Sequence, residues 1–337
     1  MPDATLPNPA ADVAGDRPVL RGAALRSVAT ALPPTVVAND EIAARIGKTD
    51  DWIYTRTGIR ERRHARPEER LSDYAAAAGR AALERAGVDA ADLDLVLVAT
   101  LTADEVTPNA APLVATALGA ERAGAIDVGA ACTSFVSAVA LAAAQIECGR
   151  AERVLVIGAD FVSRITDHDS KATAMLFADG AGAVVMTPTQ AGEVGAIGPI
   201  LLRADGSEPE ILYATHAERK LQMDGHATFK HAVNRMAEIT REAVAAAGLT
   251  LEQIDLFAYH QANGRILRAV AERLALPSER VIDCIERTGN MSAATIPYAL
   301  ETAQRDGRLR PGAKVLMAAF GAGFTWGGGV IEWGGTE

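Results

Sequence analysis

The feature that most constrains the fold is a plan that occurs twice along the chain. The first copy reads "LSDYAAAAGRAALERAGVDAADLDLVLVAT" and the second reads "NRMAEITREAVAAAGLTLEQIDLFAYHQAN". Each copy predicts a helix, a glycine that ends it (Gly87 or Gly248) and a buried strand. Ser72 is predicted to cap the first helix. The repeat indicates two similar halves, with chance similarity of alanine-rich helices as the alternative.

Each copy is followed by the same further pattern. A second helix leads to a short strand, "RAGAIDVGAAC" or "SERVIDCIERTGN", and a last strand, "RVLVIGAD" or "KVLMAAFGAG", closes each half. Strands that alternate with helices predict largely parallel sheets covered on both faces, which is an α/β layered fold. We predict a loose tail over residues 1–18, a first half over 19–190 and a second half over 191–337.

Composition excludes several broad classes of protein. The 337 residues are 49% hydrophobic and 23% charged, which is typical of a globular chain. A formal net charge of -10 argues against bulk binding to nucleic acid or anionic lipid. The chain starts without the basic and apolar segments of a signal peptide, and no apolar run reaches the roughly 18 residues of a membrane span. Three cysteines, a sparse and odd number, favour a reducing cytoplasm.

Cys132 falls where a predicted strand hands over to a predicted helix, in "AIDVGAACTSFVSAVALAAAQIECG". Unpaired N–H groups and the dipole at a helix N-terminus favour a thiolate, so this position suits a nucleophile. The alternative is a small buried core cysteine, and this is the reading that we give to Cys148 and Cys284.

Two polar residues and a glycine-rich segment in the second half are candidate partners for the thiol. His260 follows the strand in "FAYHQANGRIL", and Asn290 lies in "ERTGNMSAATIP". Glycines around Ala322 in "AAFGAGFTWGGG" would let backbone N–H groups approach a ligand closely. Each has a plain alternative, namely a satisfied histidine, a turn asparagine and a tight turn between strands.

Four segments in this order resemble the signature segments of β-ketoacyl-acyl-carrier-protein synthase III, in the thiolase superfamily: "DVGAACTSF", "YHQANGRI", "GNMSAATIPYAL" and "FGAGFTWG". The resemblance runs from about residue 20 to the C-terminus and includes "TDDWIYTRTGIRERR" and "FADGAGAVV". It implies a duplicated thiolase-like fold with layered α-β-α-β-α architecture, and a homodimer.

The resemblance also implies a mechanism. Cys132 would take an acyl group from acyl-CoA, and its helix position would supply enough thiolate. His260 and Asn290 would stabilise the enolate that forms when a malonyl-loaded acyl carrier protein loses CO₂. The backbone N–H groups of Cys132 and Ala322 would hold the oxyanion of the condensation. This chemistry requires no metal or redox cofactor.

The same resemblance implies binding residues for CoA. Trp52 and Arg56 match family positions that contact the adenine and the phosphates. Lys171 aligns with a second family arginine that stacks on adenine, and a lysine cannot stack as a planar guanidinium does. The alternative for Trp52 is a half-buried packing anchor.

A basic group near the predicted cavity would dock the acidic carrier protein. The residues are Arg265, Arg268 and Arg273 in "NGRILRAVAERL", together with Lys230. Helical spacing places Arg265 and Arg268 on one face, and a solvated helix face is the alternative reading.

Two departures from the family pattern concern the acyl pocket. Ser134 stands where the family usually has glycine, and it would either narrow the pocket or form a hydrogen bond nearby. Thr107 aligns with a phenylalanine that crosses the dimer in several members, so a smaller residue would leave room for branched or longer acyl groups. His226 and His231 are weak metal candidates, because no cysteine or carboxylate cluster surrounds them at ligand spacing.

The residues leave other functions open. The nearest rival is a starter-unit synthase or acyltransferase of the same fold from a polyketide or other specialised pathway. A thiolase-fold partner subunit without chemistry is disfavoured by the presence of Cys132, His260 and Asn290 together. A dinucleotide-binding enzyme rests only on "ADGAGAVV", which lacks the spacing of a phosphate-binding loop.

Overall fold

The computed structural model describes residues 21–190, 193 and 195–335. The predicted tail over residues 1–18 lies outside the described residues. In the described part of the chain the strands are β1 (Arg21–Ala31), β2 (Val36–Ala38), β3 (Glu61–Arg63), β4 (Leu95–Ala99), β5 (Gly124–Val128), β6 (Val154–Phe161), β7 (Asp179–Gln190), β8 (Ile197–Ala204), β9 (Leu212–Tyr213), β10 (Gln222–Met223), β11 (Leu256–Tyr259), β12 (Lys314–Gly321) and β13 (Thr325–Glu332). The α-helices are α1 (Asn39–Ile46), α2 (Asp50–Thr57), α3 (Leu71–Ala86), α4 (Ala110–Leu118), α5 (Ser134–Glu147), α6 (Gly225–Ala246), α7 (Gly264–Leu274) and α8 (Thr295–Arg305).

Two large sheets carry the fold. The first has the order β1-β7-β6-β4-β5, and the second has the order β11-β12-β13-β8. Strands β4, β5 and β6 run parallel, while β7 pairs antiparallel with β6 and β1. In the second sheet β11 and β12 are parallel, and β13 pairs antiparallel with β12 and β8. Read from its other edge, the second sheet has the order β8-β13-β12-β11, which matches β1-β7-β6-β4 strand for strand. The first sheet has β5 as an additional fifth strand.

Helices cover both faces of each sheet. Helices α3 and α4 pack on the outer face of the first sheet, and α6 and α7 on the outer face of the second. Between the sheets lie α5 and α8, whose apolar faces share one core with strands of both halves. The layered α-β-α-β-α fold that the sequence predicts is confirmed. None of the helices in the described ranges is long and apolar enough to cross a bilayer.

The start of α3 corrects one expectation. The helix begins at Leu71, so Ser72 lies inside it and is not its cap. The carboxylate of Asp104 accepts hydrogen bonds from the backbone N–H groups of Leu71 (2.8 Å) and Ser72 (2.9 Å). A carboxylate from a later loop thus satisfies the first N–H groups of the helix. The glycine stop is confirmed, because Gly87 has a left-handed φ of 64° at the C-cap.

The short strand predicted in "SERVIDCIERTGN" is wrong. Only one isolated parallel bridge, between Val281 and Phe257, stands where the first half has β5. The side chain of Gln261 takes the hydrogen bonds of this segment, donating to the carbonyl of Ile282 and accepting from the N–H of Cys284. The N–H of Ile282 still donates to the carbonyl of Phe257 in β11 (3.0 Å), and the buried amide side chain of Gln261 provides the other partners of this backbone.

Candidate active site

One cavity of about 450 Å³ brings together the three predicted catalytic residues, Cys132, His260 and Asn290. The buried side chains of His260 (3% exposed) and Asn290 (5% exposed) belong to its inner end. The exposed Arg56 and Arg265 also line it and mark its mouth. Cys132 comes from the first half and the other two from the second, so the site exists only where the halves meet.

Cys132 occupies the junction between strand and helix, as predicted. Strand β5 ends at Val128, one turn of 3-10 helix spans Ala131–Thr133, and α5 begins at Ser134. Ala131 has a φ of 47°, a left-handed conformation that turns the chain sharply before the thiol. The hydroxyl of Thr325 donates to the carbonyl of Ala130 (3.0 Å), which ties this turn to the second half.

The expected ionised thiol is not what the structure supports. The pKa of Cys132 is raised to about 12, mainly by burial and in smaller part by the carboxylate of Asp160, while a contact with Ser292 acts in the opposite direction. Desolvation of the sulfur outweighs the helix dipole, because charge is costly away from water. The raised pKa favours a neutral thiol at neutral pH, so forming a thiolate would require removal of its proton.

His260 is held as a neutral base. It directly follows β11, and its backbone N–H donates to the carbonyl of Ala318 (2.9 Å). Burial lowers its pKa to about 3, which keeps the imidazole uncharged at neutral pH. Its Nδ1 lies 2.6 Å from the hydroxyl oxygen of Thr295. The other nitrogen, Nε2, is the one left for a ligand.

The amide of Asn290 has a fixed orientation. Its Oδ1 accepts a hydrogen bond from the backbone N–H of Ser292 (2.9 Å), so its Nδ2 is the side that can donate. The Asn290 backbone pairs on both sides with the segment before β7, donating to Leu176 and accepting from Ala178 (both 2.9 Å). One N–H of Nδ2 donates to the carbonyl of Ala262 (3.4 Å), so the side chain has one further N–H donor on a rigid base.

The glycine-rich turn after β12 lies directly against Cys132. A Cβ added to Gly321 would lie 2.8 Å from the backbone N of Cys132, so only glycine allows this approach. Ala322 is the next residue, and its carbonyl oxygen lies 3.4 Å from the hydroxyl oxygen of Thr325, whose hydrogen goes to the nearer carbonyl of Ala130. The placement brings the backbone of Cys132 and of the Gly321–Ala322 segment to one side of the site.

Asp160 was missed by the sequence analysis. This fully buried carboxylate belongs to the next-to-last residue of β6 and accepts from the N–H of Leu101 (2.8 Å), the hydroxyl of Thr102 (2.9 Å) and the N–H of Ala293 (3.2 Å). Burial raises its pKa. It joins the first sheet to the turn that follows Asn290. Aligning the two repeats at "RVLVIGAD" and "KVLMAAFG" would have marked it, because the matching residue is Gly321.

Ser134 forms a hydrogen bond rather than narrowing the cavity. Its side chain is fully buried, and the hydroxyl donates to the carbonyl of Ala131 (2.6 Å). Thr107 is exposed in the single chain and is not among the residues that line the cavity. Its predicted part in the acyl pocket depends on a second chain.

Of the three predicted CoA residues, one lines the cavity and two lie beside it. The guanidinium of Arg56 lies over the ring of Trp52, 4.2 Å from its centroid, and Arg56 lines the cavity. Trp52 itself is half-buried and packs beside Ile53. Lys171 is exposed next to Ala172, which lines the cavity. The structure therefore brings Arg56 to the cavity itself and leaves the other two beside it.

The predicted docking residues lie on two helices near the same mouth. Arg265 and Arg268 are exposed in the first turns of α7, and the guanidinium of Arg265 lies 5.6 Å from the ring of Phe229. Arg273 is exposed in the last turn of α7, farther along the helix, and Lys230 is exposed on α6.

The remaining candidates have ordinary surroundings. His226 lines the cavity, whereas His231 stacks on Phe324 and lies 3.2 Å from the Glu208 carboxylate. Over the residues that the structure describes, no group of three or more potential metal ligands occurs. The buried core position expected for Cys148 is wrong, because this residue follows the last residue of α5 and is exposed. Burial raises the pKa of Cys284.

The layered double-sheet fold and its cavity define a class, that of thiolase-like acyltransferases. Two family models cover the core of the site: "3-Oxoacyl-[acyl-carrier-protein (ACP)] synthase III" matches residues 126–206, and the C-terminal model of the same name matches residues 244–333. The chain is 44% identical over 316 residues to a β-ketoacyl-[acyl-carrier-protein] synthase III of Streptomyces coelicolor, covering 94% of this chain and 95% of that one.

Solved structures agree with these matches. The 3-oxoacyl-(acyl carrier protein) synthase III of Pseudomonas aeruginosa superposes with a TM-score of 0.89 at 39% identity, over 93% of this chain and 98% of that one. The priming β-ketosynthase of the R1128 polyketide pathway gives 0.89 at 36% identity, over 94% and 98%. The chain belongs to the β-ketoacyl-acyl-carrier-protein synthase III family of condensing enzymes.

Proposed function

We propose that this chain joins an acyl-CoA primer to a malonyl-loaded acyl carrier protein, with loss of CO₂, to give a β-ketoacyl carrier protein that initiates fatty-acid synthesis. The observation that carries the proposal is the single cavity lined by a thiol, a neutral imidazole and an amide oriented to donate. These groups are what a decarboxylative condensation through a covalent acyl intermediate needs.

Acyl transfer comes first. Because the Cys132 thiol is neutral at rest, a base must take its proton as the sulfur attacks the thioester carbonyl of acyl-CoA. His260 is the neutral base that lines the same cavity. The C–S bond to CoA then breaks, and the CoA sulfur leaves with a proton. The backbone N–H groups of Cys132 and Ala322 are our candidates for holding the oxyanion.

Condensation follows. Loss of CO₂ from the malonyl group leaves an enolate, whose charge develops on the thioester oxygen. Nδ2 of Asn290 and Nε2 of His260 are the proposed donors to that oxygen. The enolate carbon attacks the acyl group on Cys132, and collapse of the tetrahedral intermediate releases the sulfur, which regains its proton. The steps need no metal or redox cofactor.

Charge at the cavity mouth supports the proposed partners. The chain has a net charge of -10, yet Arg56, Arg265 and Arg268 are exposed at or near the mouth. Cations there would bind the phosphates of CoA and an acidic carrier protein. Trp52 and Lys171 complete the proposed CoA site, and Arg273 and Lys230 the proposed docking surface.

The remaining expectations concern assembly and setting. We propose a cytoplasmic homodimer in which Thr107 of one chain closes the acyl pocket of the other, leaving room for branched or longer acyl groups. The exposed position of Thr107 supports a contact beyond its own chain. Replacing Thr107 by Phe is then expected to shift turnover from isobutyryl-CoA towards acetyl-CoA, and an unchanged ratio would count against this pocket.

A starter-unit synthase or acyltransferase of a specialised pathway is the second candidate. The equal TM-score to a polyketide priming ketosynthase supports keeping it. The two candidates differ in chemistry where the rival is a pure acyltransferase, because that reaction releases no CO₂.

The decisive experiment follows the acyl group by intact-protein mass. The wild-type chain, Cys132→Ala and the matched control Cys148→Ala are incubated with acetyl-, isobutyryl- or octanoyl-CoA, and malonyl carrier protein is then added with CO₂ detection. An adduct on wild type and Cys148→Ala only, discharged with CO₂ into a β-ketoacyl carrier, is expected. An adduct that moves without CO₂ would favour the acyltransferase, and no adduct would refute Cys132 as nucleophile.

A further inference from the structure

A buried hydrogen-bond chain behind His260 has no place in the function described so far. Nδ1 of His260 lies 2.6 Å from Oγ1 of Thr295, and that hydroxyl donates to the carbonyl of Ser292 (2.9 Å). The three residues are 3%, 1% and 1% exposed. A threonine hydroxyl has one hydrogen, so it cannot donate to the imidazole and to the carbonyl at once.

The direction of this hydroxyl decides which nitrogen of a neutral His260 carries the hydrogen. If Thr295 donates to Ser292, it must accept from Nδ1–H, and Nε2 is then a bare proton acceptor. If it donates to Nδ1, the hydrogen is on Nε2, which becomes a donor. Burial keeps the imidazole neutral, so the tautomer, rather than the charge, sets the role of Nε2.

The first half of the molecule supplies an internal control. Ser134 begins α5 as Thr295 begins α8, and each follows a 3-10 turn that opens with a residue of φ 47°, Ala131 or Ser292. The Ser134 hydroxyl donates to the carbonyl three residues earlier, that of Ala131, at 2.6 Å. Where no imidazole is present, the hydroxyl at this position bonds to the carbonyl of the turn.

We propose that Thr295 is a positioning residue that serves both neutral tautomers of His260, with Nδ1–H as the resting form. In that form Nε2 accepts the Cys132 proton during acyl transfer and passes it to the departing CoA sulfur. For decarboxylation the hydroxyl turns to Nδ1 and the hydrogen is on Nε2. The exchange takes one proton off Nδ1 and puts one onto Nε2, with solvent as carrier, and leaves the charge unchanged.

This inference rests on the proposed function, because it assigns His260 one role in each half-reaction. A backbone N–H or a carboxylate behind the imidazole would hold one tautomer only, since the first only donates and the second only accepts. A hydroxyl can do either. Threonine at this position therefore fits a histidine that must accept in one step and donate in the next.

The test compares Thr295→Val, which keeps the shape and removes the hydroxyl, with Thr295→Ser, which keeps the hydroxyl. Acylation is followed by single-turnover intact mass, and decarboxylation of malonyl carrier protein is followed as CO₂ release without acyl-CoA. Thr295→Val is expected to lose about 10- to 100-fold in both half-reactions, within the range of positioned proton transfer. Thr295→Ser should stay within about threefold, and thermal melting checks that both variants fold.

Nitrogen-15 NMR of histidine-labelled protein reads the tautomer directly. His260 should show a protonated Nδ1 in the resting wild type and in Thr295→Ser, and a changed tautomer ratio in Thr295→Val. A resting Nε2–H form, a loss confined to one half-reaction, or full activity of Thr295→Val would each overturn the proposal. Absence of any acyl adduct on wild type would instead refute the proposed function. The NMR spectrum would still report the tautomer of His260, so the two failures can be told apart.

Discussion

The two halves build the same turn and use it differently. In each, a residue of φ 47° opens a 3-10 turn that leads into a helix between the sheets. The residue after it is Cys132 in the first half and Ala293 in the second. Each turn faces a strand of the opposite half, and the two strands carry different residues at the matching position near their ends.

The facing residues are Asp160 and Gly321, which align at the ends of β6 and β12. Asp160 accepts the backbone N–H of Ala293 (3.2 Å), so that N–H is already occupied. Gly321 has no side chain, and a Cβ there would lie 2.8 Å from the Cys132 nitrogen. A carboxylate therefore occupies this position in the first half, and in the second half no side chain stands between the strand and the N–H of Cys132.

A second pair of positions repeats the contrast. Asp160 pairs with Gly180 and Gly321 pairs with Thr325, so the preceding residues Asp179 and Phe324 correspond. Asp179 is fully buried and accepts from the N–H groups of Ala65 (2.7 Å) and Ser163 (2.8 Å). Phe324 packs on Phe320, which lines the cavity. In the first half this position belongs to a buried polar network, and in the second half an aromatic side chain next to the cavity occupies it.

The largest effect is expected when Gly321 is replaced by the aspartate that stands at the matching position of the first half. Gly321→Asp would place a carboxylate, as in the first half, against the N–H of Cys132. Loss of an oxyanion donor and the added negative charge are expected to slow acylation at least about 100-fold. Single-turnover intact mass with acetyl-CoA measures it.

The matched control for that change is Gly206→Asp. An added Cβ at Gly206 meets nothing within 4 Å, so this variant adds the same charge in open space. It should acylate at the wild-type rate. Near-normal acylation of a folded Gly321→Asp would show that the proposed opening at Gly321 has no catalytic meaning.

A smaller effect is expected when the carboxylate of Asp160 is removed from the first half. Asp160→Ala leaves the buried donors of Leu101, Thr102 and Ala293 without their acceptor. The free energy of unfolding is expected to fall by about 2–4 kcal/mol, since each unsatisfied buried donor is costly. Urea denaturation measures the change. Asp160→Asn, which retains one oxygen acceptor, should lose less, and an equal loss in both would contradict the role of the hydrogen bonds.

The smallest effect concerns Asp179 and depends on pH. Burial raises the pKa of its carboxyl to about 6 from an ordinary 3.8. Its contribution to stability is therefore fully present below the unfolded pKa and is lost as pH rises through about 6. Between pH 4 and 7 this loss is expected to be roughly 1–3 kcal/mol.

Asp179→Asn removes that titration. As pH rises from 4 to 7, the wild type should lose unfolding free energy that the variant does not lose, so the variant becomes more stable relative to the wild type. Burial lowers the pKa of His64 to about 4, so the titration of this histidine makes the protein more stable as pH rises. His64 is present in both proteins, and its contribution therefore cancels in the difference. A difference that does not vary with pH would rule out the raised pKa of Asp179.

Local patterns predicted much of the fold, and contacts distant in sequence account for the errors. Strands β4 and β11 and the helix stop at Gly87 are visible in short stretches of sequence. The cap of α3 is not, because its acceptor, Asp104, is 33 residues from Leu71. The strand at Val281 was wrong because the Gln261 side chain, distant in sequence, takes its hydrogen bonds.

The site shows the same division. The turn at Cys132 follows from strand, glycine and helix signals, but its raised pKa follows from burial between two halves, which the sequence does not display. Thr295 is the first residue of α8, and no local pattern in the sequence distinguishes it from other helix starts. Only its distance to His260 gives it a role, although aligning it with Ser134 would have marked the pair of hydroxyls.

The core that both halves share bears on how the chain acquires activity. Apolar residues of α5 and α8 belong to one cluster with strands from both sheets, and Thr325 holds the turn before Cys132 through the carbonyl of Ala130. Neither half can complete its inner face alone. During refolding, catalytic activity should therefore return last, after secondary structure. A chain with only one half ordered would be inactive and would expose an apolar face that is prone to aggregation.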